Sequence, residues 1–93
     1  MKNTKKKGFW VIGKNYLIRT VTMIQTGKLE SIDDKEIILS HAAWIADTGR
    51  FTEAVKSQSF SEVELFPTDK LIAVGRGALI DAVEIETLPN KQI

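Results

Sequence analysis

Over residues 16–26 the chain places Tyr16, Ile18, Thr20, Val21, Thr22 and Ile24 almost side by side. β-Branched and aromatic side chains lose rotamer freedom in a helix and pack well on a pleated surface, so this run reads as the strongest strand in the chain. Successive side chains of a strand point to opposite faces. Tyr16, Ile18 and Ile24 fall on one face, with Thr20 and Thr22 between them; Leu17, Val21 and Met23 fall on the other, with Arg19 among them. Apolar residues on both faces suit a small barrel that curls over its own core.

The rest of the chain repeats this pattern in short pieces. Residues 8–13, Gly-Phe-Trp-Val-Ile-Gly, read as a first strand bounded by glycines. Gly27 interrupts an extended run that continues to Ile32 and signals a bulge or sharp bend. Asp33-Asp34-Lys35 is a polar turn, residues 36–40 form a strand, and residues 42–45 form another after a tight turn. Ala46-Asp47-Thr48-Gly49-Arg50 has loop chemistry; Thr52 is placed to cap a short helix with Glu53 in its first turn. Phe51, Ala54 and Val55 share one face of that helix, and Ser57-Gln58-Ser59 ends it. Residues 61–66 alternate Val63 and Leu65 with Glu62 and Glu64, Pro67-Thr68-Asp69 turns, and residues 71–74 and 78–86 form strands around the break Gly75-Arg76-Gly77. The expected fold is all-β: one strongly bent antiparallel sheet forming a small barrel, with one short inserted helix. Residues 1–7 are expected as a disordered basic arm, 8–88 as the single domain with an insertion at about 46–61, and 89–93 as a tail.

Composition narrows the function. A chain of 93 residues builds one core with little stability to spare. It has no Cys, so it forms no disulfide, thiolate metal site or cysteine nucleophile, and the single His41 excludes a multi-histidine zinc site. Asp33, Asp34 and Glu36 lack the spacing of a calcium loop, and adjacent Asp33 and Asp34 suit a turn cap better than an acid–base pair. Thr48-Gly49-Arg50 lacks the second glycine and the Lys-Ser/Thr of a P-loop. His41 stands outside any nucleophile motif. The expectation is a protein that is not an enzyme and needs no cofactor or metal. No apolar run approaches the ~20 residues that span a bilayer, and residues 8–12 are too short for a secretory core, so a cytoplasmic protein without a membrane partner is expected. A net charge of +1 supports a nucleic-acid coat less than a strongly basic chain would.

Three groups of residues remain as candidates. Arg76 between Gly75 and Gly77 reads either as the exposed tip of a tight hairpin or as an anion ligand whose small neighbours let a ligand approach the backbone. In Trp44-Ile45-Ala46-Asp47-Thr48-Gly49-Arg50-Phe51, Trp44 and Phe51 read as core and Asp47 or Thr48 as a turn cap. The functional alternative has Trp44 stacking on a base, Asp47 reading a base edge or ribose hydroxyl, and Arg50 holding a phosphate. Lys5, Lys6 and Lys7, with Lys2, are either a solvated start or a phosphate-contacting arm, beside which Phe9 and Trp10 either stack on bases or plug a barrel end.

Two stretches resemble the Sm-like family. Ile24-Gln-Thr-Gly27-Lys-Leu29-Glu-Ser-Ile32-Asp33 followed by Ile37-Ile38-Leu39 is similar to the first Sm motif, and Leu71-Ile-Ala-Val-Gly-Arg76-Gly77-Ala-Leu-Ile80 to the second. The stretch around Trp44 also resembles small uncharacterised phage and prophage proteins. The Sm-like resemblance implies a bent barrel that closes into rings through edge strands and binds RNA at the pore. Glu36 stands near the family's RNA-binding Asn and Ala78 follows Gly77, so two positions depart from the RNA-binding pattern. Three functions follow as expectations. The first is a homo-oligomer holding a small anionic ligand such as a nucleotide, in pockets built between subunits from Arg76 and the Trp44 stretch; the phage resemblance would make it a sponge for a host signalling nucleotide. The second is an Sm-like RNA-binding ring. The third is an interaction adaptor working through its edge strands.

Overall fold

The run of β-formers over residues 16–26 folds as a hairpin rather than as one strand. β1 (Asn15–Thr20) turns through Val21, Thr22 and Met23 into β2 (Ile24–Ile32). No Gly, Pro or Asn marks this turn. Thr20 closes it: its hydroxyl accepts from the Met23 N–H and donates to Met23 O, both at 3.0 Å, and its own N–H donates to Met23 O at 2.7 Å. The reversal resets the alternation of faces. Ile24 joins Leu17 on one side, apart from Tyr16 and Ile18, while Val21 and Met23 are left exposed.

The computed structural model describes residues 8–93; the basic arm expected over residues 1–7 lies outside them. After the hairpin come β3 (Glu36–Asp47), α1 (Phe51–Ser57), β4 (Glu62–Leu65), β5 (Ile72–Gly75), a 3-10 turn over Arg76–Ala78, and β6 (Leu79–Ile85). The strands form one antiparallel sheet in the order β4-β3-β2-β1-β6, and β5 also pairs with β3. The architecture is mostly β with one short helix. The sheet is open among the described residues: its path ends at β4 and β6, which no ladder joins.

β3 joins two cores. It runs unbroken from Glu36 to Asp47, where the sequence suggests two strands and a turn. Its pairing with β2 steps from Lys28↔Ser40 to Thr26↔Ala43, so β3 carries one extra residue opposite Gly27. His41 takes up that residue at φ 50°, in the left-handed region where His is tolerated better than most side chains. One inserted residue exchanges the two faces of a strand. Ile37 and Leu39 therefore point into a first core with Tyr16, Ile18 and Leu29, whereas Ala43 and Ile45 point into a second with Leu17, Phe60 and Val63. Gly27 is the small partner this needs, because a Cβ there would lie 2.8 Å from Leu39 Cβ.

Three other expectations change. Residues 8–13 form no strand; Tyr16 Oη accepts from Val11 N–H and donates to Phe9 O, both at 2.8 Å. Trp10 packs on the first core with its ring 4.9 Å from that of Tyr16. α1 begins at Phe51 with Arg50 at its cap position, so Thr52 lies inside the first turn and not at the cap. Gly75-Arg76-Gly77 is a 3-10 corner and not a hairpin, because β5 leaves for β3 and β6 for β1; Gly75 has φ −68°, which asks nothing special of a glycine. The tail is docked: Leu88 packs on the second core, and Ile93 exchanges backbone hydrogen bonds with Val63.

Gly27→Val should lower stability by about 1–3 kcal/mol through overpacking against Leu39, read by urea or thermal unfolding. At the bulge, His41→Gly should keep or raise the melting temperature, whereas His41→Val should cost about 1–2 kcal/mol for a left-handed backbone. Equal stability of the two variants would remove the strained residue from the fold's account.

Candidate functional site

The sequence candidates separate into two places, at opposite ends of β3. Arg76 follows Gly75, which pairs with Glu36 at the start of β3; Asp47 is the last residue of the strand. About eight residues of strand separate Glu36 from Trp44, a contour of roughly 26 Å. One chain therefore does not bring Arg76 together with Trp44, Asp47, Thr48 and Arg50.

At the first place, Arg76 serves the turn between β2 and β3. Its Nη1 donates to Asp33 O at 2.7 Å and its N–H to Lys35 O at 2.9 Å. The Asp33 carboxylate closes the same turn, its Oδ1 accepting from the N–H groups of Lys35 at 2.8 Å and Glu36 at 2.9 Å. Those two donors, Lys35 first, hold the Asp33 carboxyl below the usual carboxylate range, and Arg76 adds to the effect. Gly75 and Gly77 face open space. The corner thus presents the Arg76 guanidinium at a turn whose residues Asp33, Asp34, Lys35 and Glu36 are all exposed.

At the second place, Asp47 and Thr48 are also spent on local structure. Asp47 Oδ1 accepts from Gly49 N–H at 2.8 Å, and Thr48 Oγ1 donates to Gly49 O at 2.7 Å. Gly49 itself stands at φ 72°, a conformation that glycine adopts without strain. Arg50 is exposed and precedes α1. Phe51 lies beneath the Arg19 guanidinium, 4.5 Å from ring centroid to Cζ, and Arg19 grips Asp81 through Nε and Nη2 at 2.8 and 2.6 Å. That fork holds the Asp81 carboxyl below its ordinary range and raises Arg19. Trp44 is also exposed.

Sequence reasoning overlooked the surroundings of Trp44. Val21 is 70% exposed, Met23 41%, Trp44 38% and Ile80 63%. All four line one depression of about 480 Å³, at the hairpin end of the sheet. Two backbone devices expose them: the Thr20-closed turn carries Val21 and Met23, and Ile80 is the extra residue where the β1–β6 register slips between Arg19 and Thr20. A turn without glycine and a bulge without glycine leave no signal in the sequence.

Next to His41, Ser40 donates its hydroxyl to the Glu30 carboxylate, and His41 Nδ1 lies 3.3 Å from the same hydroxyl. The serine proton points to Glu30 rather than to the imidazole, so the order of a serine nucleophile and histidine base is missing. Among the described residues no three His, Asp or Glu side chains gather as metal ligands would, and no helix is long and apolar enough to cross a membrane. In comparisons with known proteins, no family model, no curated protein and no solved structure matches the chain.

The Asp33 turn gives a pH test. A carboxyl depressed in the folded state stabilises above its unfolded value, about 4, and loses that contribution as pH falls through the lower folded value. Asn keeps the acceptor oxygen without the titration. Asp33→Asn should therefore melt below the wild type at pH 7 and converge with it towards about pH 2, where both are uncharged at this position. Parallel melting curves across that range would remove the turn carboxylate from acid stability.

Proposed function

We propose that this chain is a non-enzymatic interaction module that associates with a second copy of itself through the apolar depression around Trp44. The observation that carries the reading is the gathering of Val21, Met23, Trp44 and Ile80 on one uncovered surface. Contiguous exposed apolar surface of this kind marks interaction sites. A like patch is the partner that its charge allows. Arg19 is the charged residue lining the depression, and its bidentate pairing with Asp81 leaves no free charge to repel an identical face. Two such faces meet about a two-fold axis, the commonest symmetry of soluble oligomers.

Closure of the sheet as a small Sm-like barrel belongs to the same reading. Its support is the Arg76–Ala78 corner: β5 on β3 and β6 on β1 are joined by a single 3-10 turn, so β1, β2, β3, β5 and β6 follow one another around the cores. A nucleotide or RNA finds less at this corner. Arg76 already serves Asp33 O, and the Asp33 carboxylate lies close enough to feel its charge.

Light scattering across a concentration series tests the association. The wild type should reach the mass of two chains. Ile80→Glu or Trp44→Glu should weaken dimerisation by about 2 kcal/mol or more, roughly thirtyfold in Kd, without lowering the melting temperature of the monomer. A wild-type mass of one chain at high concentration overturns the proposal, and so does a dimer indifferent to both substitutions. A co-purified mass of nucleotide size would return the reading to Arg76.

A further inference from the structure

We infer that the outer edge of β4 is a strand-docking site, held here by the chain's own tail and open to an extended basic-polar-apolar segment of a partner protein when that tail lifts. The inference stands on the tail alone and does not rest on self-association through Trp44.

β4 ends the sheet path beside β3, so its far side offers unpaired backbone groups. Two of them are met by the tail. Val63 N–H donates to Ile93 O at 3.3 Å, and Ile93 N–H donates to Val63 O at 3.2 Å, the reciprocal exchange of an antiparallel pair. Leu65 N–H, two residues on along the same edge, receives no backbone carbonyl; it donates to the side-chain Oε1 of Gln92 at 2.6 Å. The tail thus acts as a strand at one residue and substitutes a side chain at the next. A partner strand in full register would supply carbonyls to both N–H groups.

Open depressions flank the tail. One of about 360 Å³ is lined by Phe60, Val63, Leu88 and Ile93, and a second of about 230 Å³ by Ala42, Leu65, Phe66 and Pro89. Leu88 anchors the segment on the second core, while Asn90, Lys91, Gln92 and Ile93 are exposed. A larger apolar side chain arriving on a partner strand would fill space that the tail leaves empty.

Charge gives the partner its sign. Glu62 and Glu64 alternate along β4, both exposed, and among the described residues neither forms an ion pair. The nearest answer from the tail is weak: Gln92 Nε2 stands 3.5 Å from Glu64 Oε1, with Lys91 preceding it. The edge therefore favours a segment with Lys or Arg beside a strand-forming apolar residue, recognised through the backbone and read out by the two glutamates.

The test uses the full chain. In Gln92→Ala/Ile93→Pro the proline removes the N–H given to Val63 and the alanine removes the acceptor of Leu65. The probe is a synthetic hexapeptide of the tail sequence, Leu-Pro-Asn-Lys-Gln-Ile, with a Glu-for-Lys version as control. In this variant the amides of Val63 and Leu65 should exchange at least tenfold faster than in the wild type. It should also bind the hexapeptide at least tenfold tighter than the wild type does, and prefer it to the control. Adding Glu64→Lys to the same variant should reverse that preference. Unchanged exchange at Val63 and Leu65 overturns the tail as occupant. Equal binding to wild type and variant, or binding to neither, overturns the docking edge. A variant whose mass is twice that of the wild type at the same concentration makes the occupant a second copy and overturns the partner assigned here.

Discussion

The extra residue at His41 is the constraint on which the rest of the fold depends. A short chain with one sheet must cover both of that sheet's faces, because apolar side chains project from each. β3 solves this by changing sides along its length. Its first half faces Ile37 and Leu39 inward beside β5; its second half, one residue out of phase, faces Ala43 and Ile45 beside β4 into the second core, which includes Ala54 of α1. Without the inserted residue, Ala43 and Ile45 would share a face with Leu39, and the second core would lose its floor. Gly27 permits the change by letting β2 lie against Leu39 with no side chain between them. The bulge and the glycine are two halves of one device.

Much of the architecture was legible in the sequence and the rest was not, for identifiable reasons. The Asp33 turn was readable because Asx chemistry is local: Asp33 bonds the N–H groups two and three residues ahead. The helix was readable from Phe51, Ala54 and Val55, and β4 from the alternation of Val63 and Leu65 with two glutamates. The turn after Thr20 was not, since a threonine hydroxyl did what a glycine or asparagine announces elsewhere. Residues 8–13 had strand composition, but the Tyr16 hydroxyl took Val11 N–H and Phe9 O, two backbone groups that a ladder would have used. Propensity lost to tertiary context there. The site was less legible than the fold. Trp44 was singled out for its chemistry, whereas Val21, Met23 and Ile80 became its neighbours only through a turn and a bulge that carry no sequence signature.

Most of the polar candidates share a fate that follows from size. In a chain this small most turns lie within a few residues of every functional-looking side chain, and turns must be closed. Arg76, Asp33, Asp47 and Thr48 each use their polar atoms on backbone groups close at hand. A residue so engaged keeps little to offer a ligand. Arg19 is engaged likewise, but its effect is different: in neutralising Asp81 while covering Phe51 it makes a charged corner compatible with an apolar neighbour.

The two ends of the sheet path are managed in contrasting ways. Among the described residues β6 has no strand beyond it, yet it is interrupted at Ile80 and carries Asp81 and Glu84, which deter indiscriminate pairing. Both acids are paired within the chain, Asp81 with Arg19 and Glu84 with Lys14, so this edge is settled. β4 also carries two acids, but they are unpaired among the described residues, and its backbone is covered by a segment that matches it at one residue and improvises at the next. An edge protected by charge resists every strand alike. An edge protected by a replaceable strand resists only those that bind more weakly than the cover, and so it can select a partner.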